Sequence, residues 1–347
     1  MCIKNKKCCA WIKNKNCCAW ISLDSIGILP ASKGVGCLRN TIWLHSLDIP
    51  CSQPILDQLQ YIKSSTESLR CINNVAHGTF GYIDSALYKT ADKTIEVYVK
   101  RPIISGRSLL YEACIQKLVG ENLRSIGFPT GAARILSIFK LRDNSVCFAM
   151  EQIDNAMILE KYLESTNINT ISSVLIDCLL QLCAMLWYLD TTLGINHRDL
   201  KPSNFLIVEH EPITKMFQIE TDIFEIKSKY SLTLIDFGFS CLGSTETHIS
   251  DISLSTVYSR FDPCPKEGRD MYLFLSLLYV DFHSKLPAKL LNLFDLWINT
   301  PSSNMTSFMR KDKESSKEWV YYIAGDIRIK KFNSSPSRIV KDLKALI

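Results

Sequence analysis

Apolar positions along this chain change their period as it proceeds. From Cys71 the run INNVAHGTFGYIDSALY is followed, after turn residues, by the alternating segment TIEVYVKRP, a pattern that predicts a β-hairpin and a third strand. SLLYEACIQKLV then predicts a helix, and SVCFAMEQI, from Ser145 to Ile153, reads as a buried strand. Between Ile171 and Leu193 the residues Val174, Leu175, Cys178, Leu179, Leu182, Met185 and Leu186 recur at helical spacing, which predicts a central core helix. Two strand-like runs, FLIV and LTLI, follow it. The last 77 residues can supply two or three more helices, LPAKLLNLFDLWI among them, and a mixed-charge tail.

At 347 residues and 47% hydrophobic content the chain can bury a large core, as two domains or one two-lobed unit. Its formal charge of +5 is concentrated at the start, where Lys4, Lys6, Lys7, Lys13 and Lys15 precede the first acid, Asp24. The remainder is balanced, so no general nucleic-acid-binding surface is expected. Half of the 14 cysteines lie in the first 51 residues; those in the body sit in apolar helical runs and read as buried reduced thiols. No continuous apolar stretch backs the basic start, which argues against a secretory signal. The longest apolar runs, Val174–Leu189 and Met271–Val280, read as too short to cross a bilayer. A soluble, cytoplasmic protein is the expectation. Residues 3–11 (IKNKKCCAW) recur as 12–20 (IKNKNCCAW). The pairs Cys8-Cys9 and Cys17-Cys18 could bind zinc or carry an acyl membrane anchor, but a weakly structured extension over residues 1–70 is the default.

The chemistry concentrates in His197–Ile207, HRDLKPSNFLI, and in the strand-like LTLIDFG ending at Gly238. Asp199, Lys201, Asn204 and Asp236 supply a carboxylate, an ammonium, an amide and a second carboxylate, the set that phosphoryl transfer from a nucleotide and Mg²⁺ requires. With both motifs in order, the chain resembles the eukaryotic-type protein kinase superfamily over about residues 72–300. The resemblance implies an α+β, two-lobed fold: a β-rich amino-terminal lobe at 71–152, a mainly helical lobe at 153–347, and ATP clamped between them. Asp199 would then orient the acceptor hydroxyl, Lys201 would neutralise the transferring phosphoryl group, and Asn204 and Asp236 would hold the metals. His197 would pack against Phe237.

The same resemblance makes Ala76-His77-Gly78-Thr79-Phe80-Gly81 a glycine-rich loop with Ala in place of its first glycine. There Gly78 and Gly81 would let the backbone approach the phosphates, Phe80 would cap them, and Ile83 would take the following valine slot. Lys100 would grip the α- and β-phosphates, paired with Glu112 of the next helix or, failing that, Glu121. Met150 would be the gatekeeper, with backbone groups of Glu151 and Ile153 meeting adenine and Val75 and Leu206 sandwiching it. The residue before that lysine pair, usually alanine, is Tyr98, which either turns outward or narrows the pocket. Asn204 and Asp236 stand further apart than in most kinases, so roughly eighteen extra positions near Pro212–Lys229 read as an inserted excursion between paired strands. No A-P-E motif closes the activation segment. Asp270 matches the helix-start aspartate that ties the large lobe to the catalytic loop, or is an N-cap.

Lys201 favours transfer to Ser/Thr hydroxyls of proteins. Arg198 leaves room for control by a phosphate on Thr245, Thr247, Ser250 or Ser253. The style of the departures resembles the divergent kinases of large cytoplasmic DNA viruses, such as asfarviruses and poxviruses. A pseudokinase scaffold that binds partners is the second reading, and a small-molecule kinase the third.

Overall fold

The computed structural model describes residues 44–46, 60–64, 67–78, 81–90, 92–141, 143–242, 258, 262–299 and 304–344. The duplicated cysteine segment, Phe80 and the four candidate phosphorylation sites lie outside them. The chain divides into two compact units, one running through Leu118 and including Ala133–Gln152, the other made of Val119–Ala132 and everything from Ile153 onward.

The first unit is a seven-stranded sheet. Its strands are β1 (Leu44–Ser46), β2 (Gln60–Ser64), β3 (Glu67–His77), β4 (Gly81–Lys89), β5 (Thr94–Pro102), β6 (Ile135–Lys140) and β7 (Val146–Glu151), in the order β1-β6-β7-β5-β4-β3-β2. All neighbours are antiparallel except β1 and β6. The alternation in TIEVYVKRP sorts its side chains. Val97 and Val99 join Leu69, Cys71, Ala86, Tyr88, Phe139, Cys147 and Ala149 in an apolar cluster, while Tyr98 and Lys100 point to the opposite face. Helix α1 (Leu110–Ser125) begins in this unit, with Glu112 in its first turn.

The second unit is mainly helical. It contains β8 (Met157–Ile158), α2 (Leu159–Ser165), α3 (Ile171–Tyr188), β9 (Ile195–Asn196), β10 (Phe205–Ile219), β11 (Asp222–Leu234), β12 (Cys241–Leu242), α4 (Arg269–Phe282), α5 (Ala288–Ile298), α6 (Met305–Lys311), α7 (Lys313–Gly325) and α8 (Pro336–Lys344). The helical stretch Ile171–Leu193 is long and apolar enough to cross a membrane, contrary to the reading that it is too short, but most of it is buried inside this unit. Helix α4 is buried on nearly every side, from Arg269 to Phe282, which explains its apolar sequence without a bilayer.

The insertion lengthens the two strands flanking it instead of forming a separate domain. Strands β10 and β11 pair from Phe205↔Leu234 to Ile219↔Asp222 with one irregularity, and Glu220 in the turn takes an ion pair from Lys341 of α8. Lys215 of β10 donates to Gln181 Oε1 of α3 and to the Tyr230 carbonyl, holding the hairpin along that helix. Among the described residues four α-helices follow α4, where two or three were expected. The polar run MTSFMRKDKESSKEW hides two of them, separated at Asp312, whose carboxylate caps α7 by accepting from Ser315 N at 3.0 Å. Trp297 Nε1 donates to Asp342 at 2.8 Å and fastens α5 to α8.

Candidate active site

In the sheet unit the β3–β4 hairpin closes with Gly78 N donating to Gly81 O at 2.8 Å. Gly81 is required by space: an added Cβ would lie 2.8 Å from the Arg101 carbonyl oxygen and 3.2 Å from Lys100 Cε. Ala76 pairs with Ile83 and Ile83 with Lys100, so Ile83 and Lys100 stand side by side on adjacent strands. Lys100 Nζ meets Glu112 Oε1 at 2.5 Å, with Glu112 fully buried. The short connection between them is accommodated because α1 starts at Leu110, only two residues before the acid. It is Glu112 rather than Glu121 that pairs with the lysine. Tyr98, half-buried, registers with Met150 and lies on the Lys100 face of the sheet, so it does not turn to the opposite one. Gln116, one turn after Glu112, donates to the Ala133 carbonyl at 2.9 Å and to Met150 Sδ at 3.4 Å. Glu151 is committed to Arg134: its N–H donates to the Arg134 carbonyl and its Oε1 accepts from the Arg134 N–H.

In the helical unit the residues of the HRD motif are held by Asp270, at the start of α4. Its two carboxylate oxygens accept from His197 N at 2.7 Å and Arg198 N at 2.8 Å, so Asp270 does more than cap a helix. Arg198 has φ +68°, a left-handed conformation costly for a side chain of that size, and these two bonds hold it. His197 packs against Phe237 at 4.9 Å between ring centroids, and its Nε2 donates to the Ile235 carbonyl at 3.1 Å. Burial pushes the His197 pKa down, which keeps the ring neutral and suits it to packing rather than proton transfer.

Asp199 is the centre of the polar cluster. Lys201 Nζ donates to it at 2.9 Å, and Asn204 Nδ2 donates to its carboxylate at 2.9 Å and to its carbonyl at 2.8 Å. Asn204 is tied to the strand carrying Asp236, because Ile235 N donates to the Asn204 carbonyl at 3.1 Å while Phe205 pairs with Leu234. Asp236 itself has φ +66°. The amide nitrogen of Asn204 donates to Asp199, so any bond from Asn204 to a cation would come from its oxygen, which like a carboxylate oxygen of Asp236 is a hard donor of the type Mg²⁺ takes. Among the described residues no group of three or more His, Cys, Asp and Glu that could hold a metal ion comes together. Leu206, on β10, is half-buried and pairs with Ile158. Ile153 accepts from Ala156 N.

Two residues that sequence reasoning missed complete this unit. Asp262 is buried among three cations: Arg198 at 3.0 Å, Lys266 at 2.8 Å and Arg269 at 2.7 Å. No motif in the sequence singles it out. Tyr321 of α7 donates to Asp199 Oδ1 at 2.5 Å, a contact with no sequence signal beyond helical periodicity. The segment after Asp236 is also anchored covalently. Cys241 in β12, which pairs with β9, is disulfide-bonded to Cys264. This corrects the expectation that every body cysteine is a reduced thiol. Cys71, Cys114, Cys147, Cys178 and Cys183 carry buried thiols outside any disulfide, as expected; burial raises the pKa of Cys71 to about 12 and pushes those of Cys114, Cys178 and Cys183 up as well.

No protein-family model matches the chain, and no curated protein sequence matches it. Solved structures do match it, and they define the class: a two-lobed, α+β, protein-kinase-like fold. One such neighbour is the crystal structure of the BubR1 kinase domain, with a TM-score of 0.50 and 16% identity, covering 82% of this chain and 92% of that one. At that identity the likeness is one of fold.

Proposed function

We propose that the protein is an ATP- and Mg²⁺-dependent serine/threonine protein kinase, with residues 71–152 and 153–347 as its lobes and 1–70 as an extension. The observation that carries this reading is the Asp199–Lys201–Asn204 cluster, with the strand bearing Asp236 tied to Asn204. The buried Lys100–Glu112 pair supports it from the sheet unit. Asp199 orients the acceptor hydroxyl and takes its proton, and Lys201 spreads the charge developing on the transferred group. Lys100, steadied by Glu112, holds the α- and β-phosphates, while backbone at Gly78 and Gly81 approaches them closely. Asn204 and Asp236 would hold Mg²⁺, which would supply positive charge to neutralise the phosphate oxygens. Lys201 within HRDLKPSN supports aliphatic alcohols of proteins as acceptors. The short connection between Lys100 and Glu112, the missing A-P-E and the amino-terminal extension favour kinship with kinases of large DNA viruses, and hence action in a host cytoplasm or virion.

Tyr98 favours a second reading, a scaffold that keeps the fold without turnover, because its ring shares the Lys100 face where nucleotide would lie. Incubation of the purified protein with labelled ATP and generic protein acceptors, beside Asp199→Asn, separates the two. Transfer by the wild type that falls by roughly 100-fold or more in the variant supports the kinase. Equal transfer by both removes Asp199 from the mechanism, and no turnover by either favours the scaffold.

A further inference from the structure

Helix α7 places one aromatic side chain in the catalytic cluster. Ser316, Val320 and Ala324 recur at four-residue spacing and are all buried, which fixes the inward face of the helix. Its orientation is further locked at both ends, by the Asp312 cap and by Lys266 Nζ, which donates to the Ala324 and Asp326 carbonyls at 3.0 Å each. Of the three aromatics in the run WVYY, Trp319 and Tyr322 are exposed, whereas Tyr321 lies next to the inward face and reaches Asp199.

Tyr321 Oη donates to Asp199 Oδ1 at 2.5 Å, and Lys201 Nζ lies on the same carboxylate. An acceptor hydroxyl has to make the same bond to this carboxylate before its proton is transferred. Burial and the adjacent Asp199 charge hold the phenol pKa well above its ordinary value, so at neutral pH Tyr321 keeps its proton and donates.

We propose that Tyr321 is a tethered acceptor, a site of phosphorylation in cis by this same active site. The inference rests on the kinase reading above and extends it from aliphatic alcohols to one phenol, whose fixed placement substitutes for recognition of a free substrate. In the step, Tyr321 Oη forms a bond to the γ-phosphorus of ATP. The bond from that phosphorus to the β–γ bridging oxygen breaks, its electron pair leaves with ADP, and the phenolic proton passes to Asp199.

The experiment uses the full-length protein, freed of phosphate by a phosphatase that is then removed, incubated with Mg²⁺ and ATP and mapped by peptide mass spectrometry. Expected is phosphate on Tyr321, acquired at a rate per molecule that does not change on tenfold dilution, and reduced by roughly 100-fold or more in Asp199→Asn. Phosphate on added acceptors or on other residues, with Tyr321 unmodified, overturns this proposal and leaves the kinase reading standing. A rate that scales with protein concentration overturns the tethered, intramolecular step. Absence of transfer to any acceptor overturns both this proposal and the kinase reading.

Discussion

Replacing Asp262 with asparagine tests how the segment before α4 is held. The substitution is nearly isosteric, so it removes a charge and little volume. Asp262 is fully buried, and it is the carboxylate shared by Arg198, Lys266 and Arg269 at 3.0, 2.8 and 2.7 Å. Breaking a buried ion pair from one side costs about 3–5 kcal/mol, because the partner is left charged and desolvated. Here three cations lose one counter-charge, so the loss should lie within that range and not at the smaller value typical of surface pairs. For a domain of about 150–250 residues each kcal/mol lowers the melting temperature by about 2–4 °C, which predicts a drop of about 6–20 °C. Circular dichroism melting at pH 7, with urea unfolding as the check that the transition stays cooperative, measures it. A variant that melts within about 2 °C of wild type would refute the reasoning, since the cations would then be neutralised by something other than Asp262.

Three further outcomes follow from the same geometry. Burial and Arg269 lower the Lys266 pKa from 10.5 to about 8, so between those pH values the unfolded chain binds more protons and stability rises with pH. The urea midpoint of wild type relative to Lys266→Met should therefore increase from pH 7 to pH 9, with the buried cysteines common to both proteins cancelling; a flat or falling difference contradicts the assignment. On the kinase reading, Gly81→Ala forces a Cβ to within 2.8 Å of the Arg101 carbonyl and 3.2 Å of Lys100 Cε, so kcat/KM for ATP should fall by about tenfold or more, and an unchanged value would show that the strand yields freely. On the same kinase reading, because Arg198 is already paired with Asp262, a variant carrying Thr245→Ala, Thr247→Ala, Ser250→Ala and Ser253→Ala should keep its transfer activity within about threefold, well inside the effect expected of a lost catalytic group; a large loss would support control by phosphate at one of these positions.

Much of the architecture was legible because local patterns and global fold agree. The alternation in TIEVYVKRP became β5, with Val97 and Val99 inward to one cluster and Tyr98 and Lys100 on the other face. The helical spacing of Val174 to Leu186 became α3. Asp199, Lys201 and Asn204 lie within six residues, so their convergence is encoded by one loop and strand, and the strand leading to Asp236 is tied to Asn204 because β10 and β11 pair. The polar helices α6 and α7 were not legible, since their apolar faces are narrow and a mixed-charge run reads as a tail.

What the sequence determined by itself is the set of reactive groups and the order of strands and helices, because motif spacing and hydrophobic period are properties of neighbouring residues. Only the tertiary structure decided which partner each charge takes. Glu112 rather than Glu121 meets Lys100, Asp262 gathers Arg198, Lys266 and Arg269, Cys241 joins Cys264, and Tyr321 reaches Asp199 across 122 residues. Those pairings depend on packing that brings distant segments together and removes water from between them. A charge or hydroxyl has many potential partners along a chain, and only burial makes the choice of one worth its desolvation.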